Sequence, residues 1–174
     1  MIYCFNEKKP IIGKGSYVSD SARVVGDVII GENCYVGHGV IIRGDYGKIV
    51  IGAQSAIEEG VILEPPVEAV CQIGQQVIIG PGVVSHSKTI GDNTVVGIGS
   101  VLGVESQIGE WTIVAEGSVV RMRQIVPNKM VVGGNPVRTI REVTENDRGN
   151  WIRVRALYMD LAKKYLAGAM APLI

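Results

Sequence analysis

Aliphatic residues recur at every sixth position along most of the chain. The register runs without a miss over residues 12 to 42 and 90 to 120, and two shorter runs cover residues 51 to 63 and 73 to 79. An amphipathic helix needs apolar spacing of three to four, and an alternating sandwich strand has no fixed period of six. The spacing therefore predicts a parallel β-helix of hexapeptide repeats, an all-β solenoid in which short strands and turns stack in coils.

Two other positions of each repeat carry restricted residue types. In a strand, positions i−2 and i share one face, so the small or β-branched residue two before each aliphatic is expected to point into the same narrow interior. These residues are Ser16, Ala22, Val28, Cys34, Val40, Ser55, Thr94, Ser100, Ser106, Thr112 and Ser118. The residue after the aliphatic is often glycine, as in Ile30-Gly31, which indicates a turn where crowding or a positive φ excludes a side chain.

Breaks in the pattern set the expected boundaries within a single domain. We predict a β-helix over residues 1–126, with loops leaving the repeat near 44–48 and 65–72. Pro127, Gly133 and Pro136 interrupt regular structure, so residues 127–143 are predicted to be an exit segment. A C-terminal α-helix over 144–168 is expected to pack on the solenoid.

The helix prediction rests on a cap and an apolar stripe. Thr144 followed by Asp147 resembles a capping box with Asp in place of Glu or Gln. The stripe expected to face the solenoid comprises Trp151, Ile152, Arg155, Ala156, Met159, Ala162 and Leu166. We expect this helix to cover an apolar face rather than to supply catalytic groups.

Composition excludes several functional classes. Seventeen Lys and Arg residues balance seventeen Asp and Glu residues, so the chain lacks the positive charge typical of nucleic-acid or anionic-membrane binding. The first ten residues carry Asn6, Glu7, Lys8 and Lys9 instead of the apolar core of a signal peptide, and no apolar run is long enough to span a bilayer, which favours a cytoplasmic protein. Three scattered cysteines predict no disulfide framework.

Four segments together resemble the γ-class carbonic anhydrase-like hexapeptide-repeat family. They are Ile42-Arg43-Gly44-Asp45-Tyr46-Gly47, the coils over residues 51 to 63, Thr89-Ile90-Gly91-Asp92 and Val131-Val132-Gly133-Gly134-Asn135-Pro136-Val137-Arg138. The Arg-Gly-Asp-Tyr-Gly-Lys stretch is most similar to the branch containing a carnitine-operon accessory protein and a phenylacetate-pathway thioesterase. The resemblance extends from Pro10 to about Tyr165.

This resemblance implies a left-handed β-helix that associates as a homotrimer with sites between subunits. Members that hold a metal use three histidines, two from one subunit and one from the next. In this chain the first of those positions is Glu64 and the second is Pro81, while the third, His86, is retained. The family's Gln and the Asp after it fall at Glu58 and Glu59.

The altered ligand set predicts no resident metal or other cofactor. A zinc site needs three protein ligands with an open fourth position for water, and proline has no donor atom to offer. At most Glu64 and His86 remain for a zinc, iron or cobalt ion. His38 does not match a ligand position.

The remaining polar residues define the candidate site. Arg43 and Asp45 lie where the family forms an ion pair, so trimer assembly is the preferred role and substrate contact the alternative. His86 suits a general base at neutral pH, with an interface side chain as the alternative. The carboxyl groups of Glu58, Glu59 and Glu64 are expected to lie close together near the former metal position, where mutual repulsion would raise their pKa values.

Three functions are compatible with these residues. The first is a trimeric accessory or binding protein that has lost its metal site and its anhydrase activity. The second is an acyl-CoA thioesterase or related hydrolase in which His86 is the base and Glu64 or Glu59 supports it. The third is a hexapeptide acyltransferase that uses His86. An acyl-CoA or another small molecule in the intersubunit cleft is the ligand these alternatives share.

Overall fold

The computed structural model describes residues 1–171 and shows one parallel β-solenoid followed by one helix. Its strands, in chain order, are β1 (Ile2–Tyr3), β2 (Ile11–Ile12), β3 (Tyr17–Val18), β4 (Arg23–Ile30), β5 (Tyr35–Val36), β6 (Ile41–Ile51), β7 (Ala56–Ile57), β8 (Ile62–Leu63), β9 (Val70–Ile73), β10 (Ile78–Ile79), β11 (Val84–Ser85), β12 (Thr89–Ile90), β13 (Val95–Val96), β14 (Val101–Leu102), β15 (Gln107–Ile108), β16 (Ile113–Val114), β17 (Val119–Val120), β18 (Ile125–Val126), β19 (Met130–Gly133) and β20 (Arg138–Glu142). The helix, α1, spans Glu145–Leu166.

The strands form three faces that the chain visits in turn. Face 1 stacks β3, β5, β7, β10, β13, β16 and β19, with β20 antiparallel at its end. Face 2 stacks β8, β11, β14 and β17 on the first half of β6, and face 3 stacks β9, β12, β15 and β18 on its second half. Because each hexapeptide carries the chain from one face to the next, residues six apart lie on neighbouring faces. Residues about eighteen apart stack directly, as Val96 does on Val114.

The repeat aliphatics fill the interior as predicted. Ile57, Ile79, Val96 and Leu102 are each 0% exposed. The small residues two positions earlier are buried beside them, and their hydroxyls bond the next coil, as when Thr94 Oγ1 donates to the carbonyl of Gly109 at 2.6 Å. Most of these buried hydroxyls are therefore paired, and Ser106 is the exception, since its Oγ has no hydrogen-bond partner in the part of the chain that the structure describes.

Crowding explains the glycine that follows many aliphatics. A Cβ at Gly31 would lie 2.6 Å from the backbone nitrogen of Ala53 on the next coil, closer than any side chain tolerates. The positive φ values lie at other turn positions, for example at Asn93. Close stacking of the coils, rather than a left-handed backbone, excludes a side chain at Gly31.

Residues 44–48 do not form the predicted loop. They belong to the eleven-residue strand β6, which pairs with β4 on one side and with β8 and β9 on the other. The extra residues are absorbed because β4 and β6 both run past the corner between faces 2 and 3, with a register shift between Gly26 and Val28. The six-residue count breaks there, although the backbone pairing continues.

Helix α1 begins with the predicted capping box. The Thr144 side chain accepts from the Asp147 amide at 3.2 Å, and the Asp147 carboxylate accepts from the Thr144 amide at 2.8 Å. The helix packs against β3, β5 and β7 of face 1. No helix within residues 1–171 has the length and apolar composition required to cross a bilayer.

The predicted contact stripe of α1 is only partly right. Ile152 and Leu166 are 46% and 54% exposed, whereas Ala162 is buried. The packed side also carries Tyr158 and Tyr165, whose rings lie 5.4 Å from Tyr35 and 4.8 Å from Tyr17, respectively. Aromatic partners on β3 and β5 rotate the buried side toward these tyrosines.

We predict that Val96→Asp and Ile108→Asp each lower the free energy of unfolding by more than about 4 kcal/mol, because each places a carboxylate in an interior without a partner. Urea unfolding followed by circular dichroism measures the change. Ile125→Asp is the matched control, since Ile125 is 69% exposed and should tolerate the charge. A folded Val96→Asp protein as stable as the control would contradict the register.

Candidate functional site

Arg43, Glu64 and His86 stack at the corner between faces 2 and 3, which we call the first corner. Each follows the face 2 segment of its coil, and the preceding residues pair in register, Ile42 with Leu63 and Leu63 with Ser85. Neighbouring coils are about 4.8 Å apart. The repeat therefore brings together three polar side chains separated by some twenty residues each.

The three side chains form a connected network with Asp45. Arg43 donates to one oxygen of Asp45 from Nε at 3.1 Å and from Nη2 at 2.8 Å. Its Nη1 donates to Glu64 Oε1 at 2.7 Å. The other Glu64 oxygen lies 3.8 Å from His86 Nε2. Arg43 thus holds two carboxylates in fixed positions, as a forked guanidinium can.

The pKa values of the ion pair reflect this arrangement. Burial alone would raise the pKa of Asp45, but hydrogen bonds from the Arg43 guanidinium and from the Tyr46 amide outweigh it and hold that pKa below its usual range. The hydrogen bond to Asp45 raises the pKa of Arg43. Both groups are therefore charged at neutral pH.

A cavity of about 200 Å³ opens beside this network. Its lining comprises Arg43, Asp45, Tyr46, Glu64, Pro65, Pro66, Val67, His86 and Val104. Tyr46 and Val67 are 68% and 76% exposed, so the rim is apolar and uncovered in a single chain. The sequence does not single out Val67 or Val104, because both are ordinary aliphatic residues and only their position at the rim connects them with the site.

Two carboxylates and one guanidinium give the first corner a net negative charge when His86 is neutral. Such a cavity disfavours small anions, because Arg43 is already shared between Asp45 and Glu64. The His86 side chain is 36% exposed and lies beside Glu64, so it stays the candidate general base of this corner.

Glu58 and Glu59 do not join Glu64 in one acidic group. They follow β7 of face 1 and lie at the corner between faces 1 and 2, which we call the second corner. The reason is the period itself, because Glu64 is six residues beyond Glu58 and so belongs to the next corner. Within one chain, Glu59 therefore does not support His86.

Both second-corner glutamates contact tyrosines. Tyr35 donates its hydroxyl to Glu59 Oε1 at 2.6 Å. Glu58 is 5% exposed, and burial raises its pKa to about 7, even though hydrogen bonding with Tyr158 acts in the opposite direction. No motif predicts these pairings, because Tyr35 on β5 and Tyr158 on α1 are both distant in sequence from the two glutamates.

Pro81 and His38 stack with Glu59 along the second corner. The Gly82 amide donates to the carbonyl of Glu59 and the Gly60 amide to that of His38, each at 2.9 Å. His38 Nδ1 bonds Ser19 Oγ at 2.7 Å, which positions its ring away from the Glu64 network. Pro81 accordingly lies at a different corner from Glu64 and His86.

The residues present do not fit the three-histidine metal set. Glu64 Oε1 is held by a guanidinium cation, which competes with any metal for the same oxygen. Pro81 offers no donor atom. Within residues 1–171, no group of three or more His, Cys, Asp or Glu side chains is placed to hold a metal ion.

Comparison with known proteins places these features in a family. A model of the bacterial transferase hexapeptide (six repeats) matches residues 9–44. The chain is 43% identical over 165 residues to the uncharacterized transferase YtoA of Bacillus subtilis, covering 95% of this chain and 96% of that protein. It is 33% identical to a carbonic anhydrase of Geobacillus kaustophilus, covering 96% of this chain and 92% of the relative.

The chain belongs to the γ-carbonic anhydrase-like hexapeptide-repeat family. The carnitine operon protein CaiE of Escherichia coli O157:H7 is 32% identical, with 91% of this chain and 81% of the relative covered, which agrees with the predicted branch. A hexapeptide transferase family protein from Anaplasma phagocytophilum has a TM-score of 0.86 at 27% identity, covering 95% and 98% of the two chains. The predicted left-handed parallel β-helix is confirmed.

In this γ-carbonic anhydrase-like chain, we predict that Asp45→Asn lowers the free energy of unfolding by about 1 kcal/mol at pH 7. Because the folded pKa of Asp45 lies below its ordinary value, its contribution is complete above about pH 4 and is lost as the pH falls through the folded pKa. Thermal unfolding of both proteins between pH 3 and pH 7 measures the difference. An equal loss at every pH would contradict the ion-pair account.

Proposed function

We propose that this chain is a trimeric, metal-free γ-carbonic anhydrase-like protein of the cytoplasm that does not hydrate CO2 and acts as an accessory or binding protein. The observation that carries this proposal is the 2.7 Å contact between Arg43 Nη1 and Glu64 Oε1. In this contact the Glu64 carboxylate, at the family's first metal-ligand position, is already paired with the Arg43 guanidinium. The net negative charge of the first corner also opposes retention of bicarbonate.

The trimer part of the proposal is supported by the two-corner geometry. Pro81 lies at the second corner, so only another copy of the chain can bring that position to Glu64 and His86. The apolar rim of the cavity is consistent with coverage by such a copy, since Val67 and Val104 are both exposed. The ligand proposed for the cleft is a small neutral molecule or the acyl end of a thioester.

We predict that the double variant Glu64→His with Pro81→His gains zinc binding near one ion per subunit, because it supplies the two missing imidazoles beside His86. The wild-type protein and the two single variants should remain far below this level. Zinc titration followed by calorimetry, with subunit number from light scattering, makes the comparison. Glu64→Gln with Pro81→Ala is the matched control without new ligands.

Tight zinc binding by the wild-type protein that Glu64→Gln abolishes would overturn the metal-free proposal. Stopped-flow CO2 hydration is the companion assay. The wild-type rate should equal that of the buffer. A rate above the buffer that disappears in Glu64→Gln would restore the anhydrase function.

Acyl transfer is the second candidate, and the exposed His86 beside Glu64 favours it. In this reaction the neutral imidazole of His86 removes a proton from a hydroxyl or amine acceptor while the acceptor attacks the thioester carbonyl. The C–S bond then breaks, and the thiolate leaves and receives the proton. Water as the acceptor gives the thioesterase alternative, with the same balance. The relationship to a protein named as a transferase supports this candidate.

We predict that, if acyl transfer occurs, His86→Ala lowers its kcat by about 10²-fold or more, as loss of a general base does. Thiol release from acetyl-CoA with a panel of small acceptors measures the rate. His38→Ala is the matched control. His38 lies two coils from Pro81 and its Nδ1 is bonded to Ser19 Oγ, so its loss should leave the rate unchanged. Equal rates for wild type and His86→Ala would exclude both acyl transfer and thioester hydrolysis at this site.

A further inference from the structure

A second cavity lies between α1 and face 1, away from the Arg43 network. Its volume is about 190 Å³. Ile78, Val95 and Val96 contribute from the strands, and Trp151, Val154 and Tyr158 from the helix. Cavities that hold drug-sized ligands measure about 300–1,000 Å³, so this one suits a smaller molecule.

Glycines leave the space above Glu58. Gly80 and Gly97 follow the aliphatics that stack on Ile57, so they occupy the Glu58 position in the next two coils. Both line the cavity, and neither has a side chain to fill it. The helix closes the other side. The void is therefore built by the repeat and the helix together, with Glu58 at its base.

Glu58 is a buried acid that lacks a cationic partner. Its residue is 5% exposed, and no Lys, Arg or His among residues 1–171 forms an ion pair with it. The groups that face it are the phenol of Tyr158 on α1 and the carboxyl of Glu59 beside it. A buried carboxylate without a cation carries a large desolvation cost.

We propose that this cavity binds a small primary alkylammonium ion, with the Glu58 carboxylate as its counter-ion and the strand and helix side chains around its alkyl chain. The ammonium group supplies both the missing positive charge and three N–H donors. The aromatic residues Trp151 and Tyr158 add favourable contacts with a cation. Glu116, exposed at the rim, attracts cations and repels anions.

A small alkylammonium ion fits the lining of this cavity better than an acyl group or a phosphate does. An anion would meet two carboxylates and no basic side chain in the lining. A purely apolar molecule would leave the Glu58 charge uncompensated. A cation with a short alkyl chain satisfies both the acid at the base and the aliphatic walls.

The test uses n-butylammonium chloride and its neutral analogue n-butanol, titrated into the full-length protein at constant ionic strength. Trp111→Phe leaves Trp151 as the one remaining tryptophan of the chain, so its fluorescence reports on the cavity directly. We expect saturable binding of n-butylammonium, at least tenfold tighter than that of n-butanol. The affinity should be higher at pH 8.5 than at pH 5.5, because Glu58 must be ionised.

Glu58→Gln in the same background should weaken n-butylammonium binding at least tenfold and remove its pH dependence. Glu64→Gln is the control at the first corner and should bind as the parent does. Circular dichroism and light scattering on each variant check folding and subunit number. Should Glu58→Gln fail to fold, proton release on n-butylammonium binding to the parent at pH 7 replaces it as the readout.

Three outcomes would overturn the proposal. They are a fluorescence change without saturation, equal affinities for the amine and the alcohol, and a Glu58→Gln protein that binds like its parent. Binding lost in Glu64→Gln but kept in Glu58→Gln would move the amine to the first corner and would also contradict it.

Discussion

The stacking of aliphatic side chains inside the solenoid is the constraint on which the rest of the structure depends. Each hexapeptide buries one such residue and turns the chain onto the next face, so that position in the repeat determines position in space. Coil packing is close enough to exclude a Cβ at Gly31. A polar residue of this chain is therefore assigned to a corner by its distance from the nearest buried aliphatic.

That rule separates two chemical environments. At the first corner, the Arg43 guanidinium is shared by the carboxylates of Asp45 and Glu64 beside His86. At the second, Glu58 lies under α1 with tyrosines and no cation among the described residues. A paired charge has a smaller net desolvation cost than an unpaired one, so an unpaired buried acid favours a ligand of opposite charge. The same repeat thus produces a charge-paired network at the first corner and a buried acid without a cation at the second.

The sequence was sufficient for the fold because the period of six is strict over long runs. Ile57, Val96 and Leu102 occupy the interior as the count requires, and Thr144 with Asp147 caps the helix. Where the count breaks, the prediction of a loop at residues 44–48 was wrong, because backbone pairing in β6 continues across the corner. Periodicity reports side-chain burial and carries no information about pairing.

The candidate site was harder to predict for two physical reasons. Glu58, Glu59 and Glu64 are close in sequence. A six-residue step nevertheless takes the chain to the next corner, so Glu64 is separated from Glu58 and Glu59. The contacts of Glu58 and Glu59 come from Tyr158 and Tyr35, which are distant in sequence and carry no motif. The repeat predicts that Arg43, Glu64 and His86 stack on neighbouring coils. Their ion pairs depend on side-chain length and conformation, which the repeat does not specify.

The most direct test of the central claim is the metal content of untagged protein purified without chelator and dialysed against zinc, measured by mass spectrometry. Light scattering on the same sample gives the subunit number. We expect a trimer, and the Arg43–Glu64 ion pair predicts that it holds far less than one zinc, iron or cobalt ion per subunit. A trimer that retains close to one ion per subunit would contradict the account, because Glu64 would then have to ligate metal in preference to Arg43.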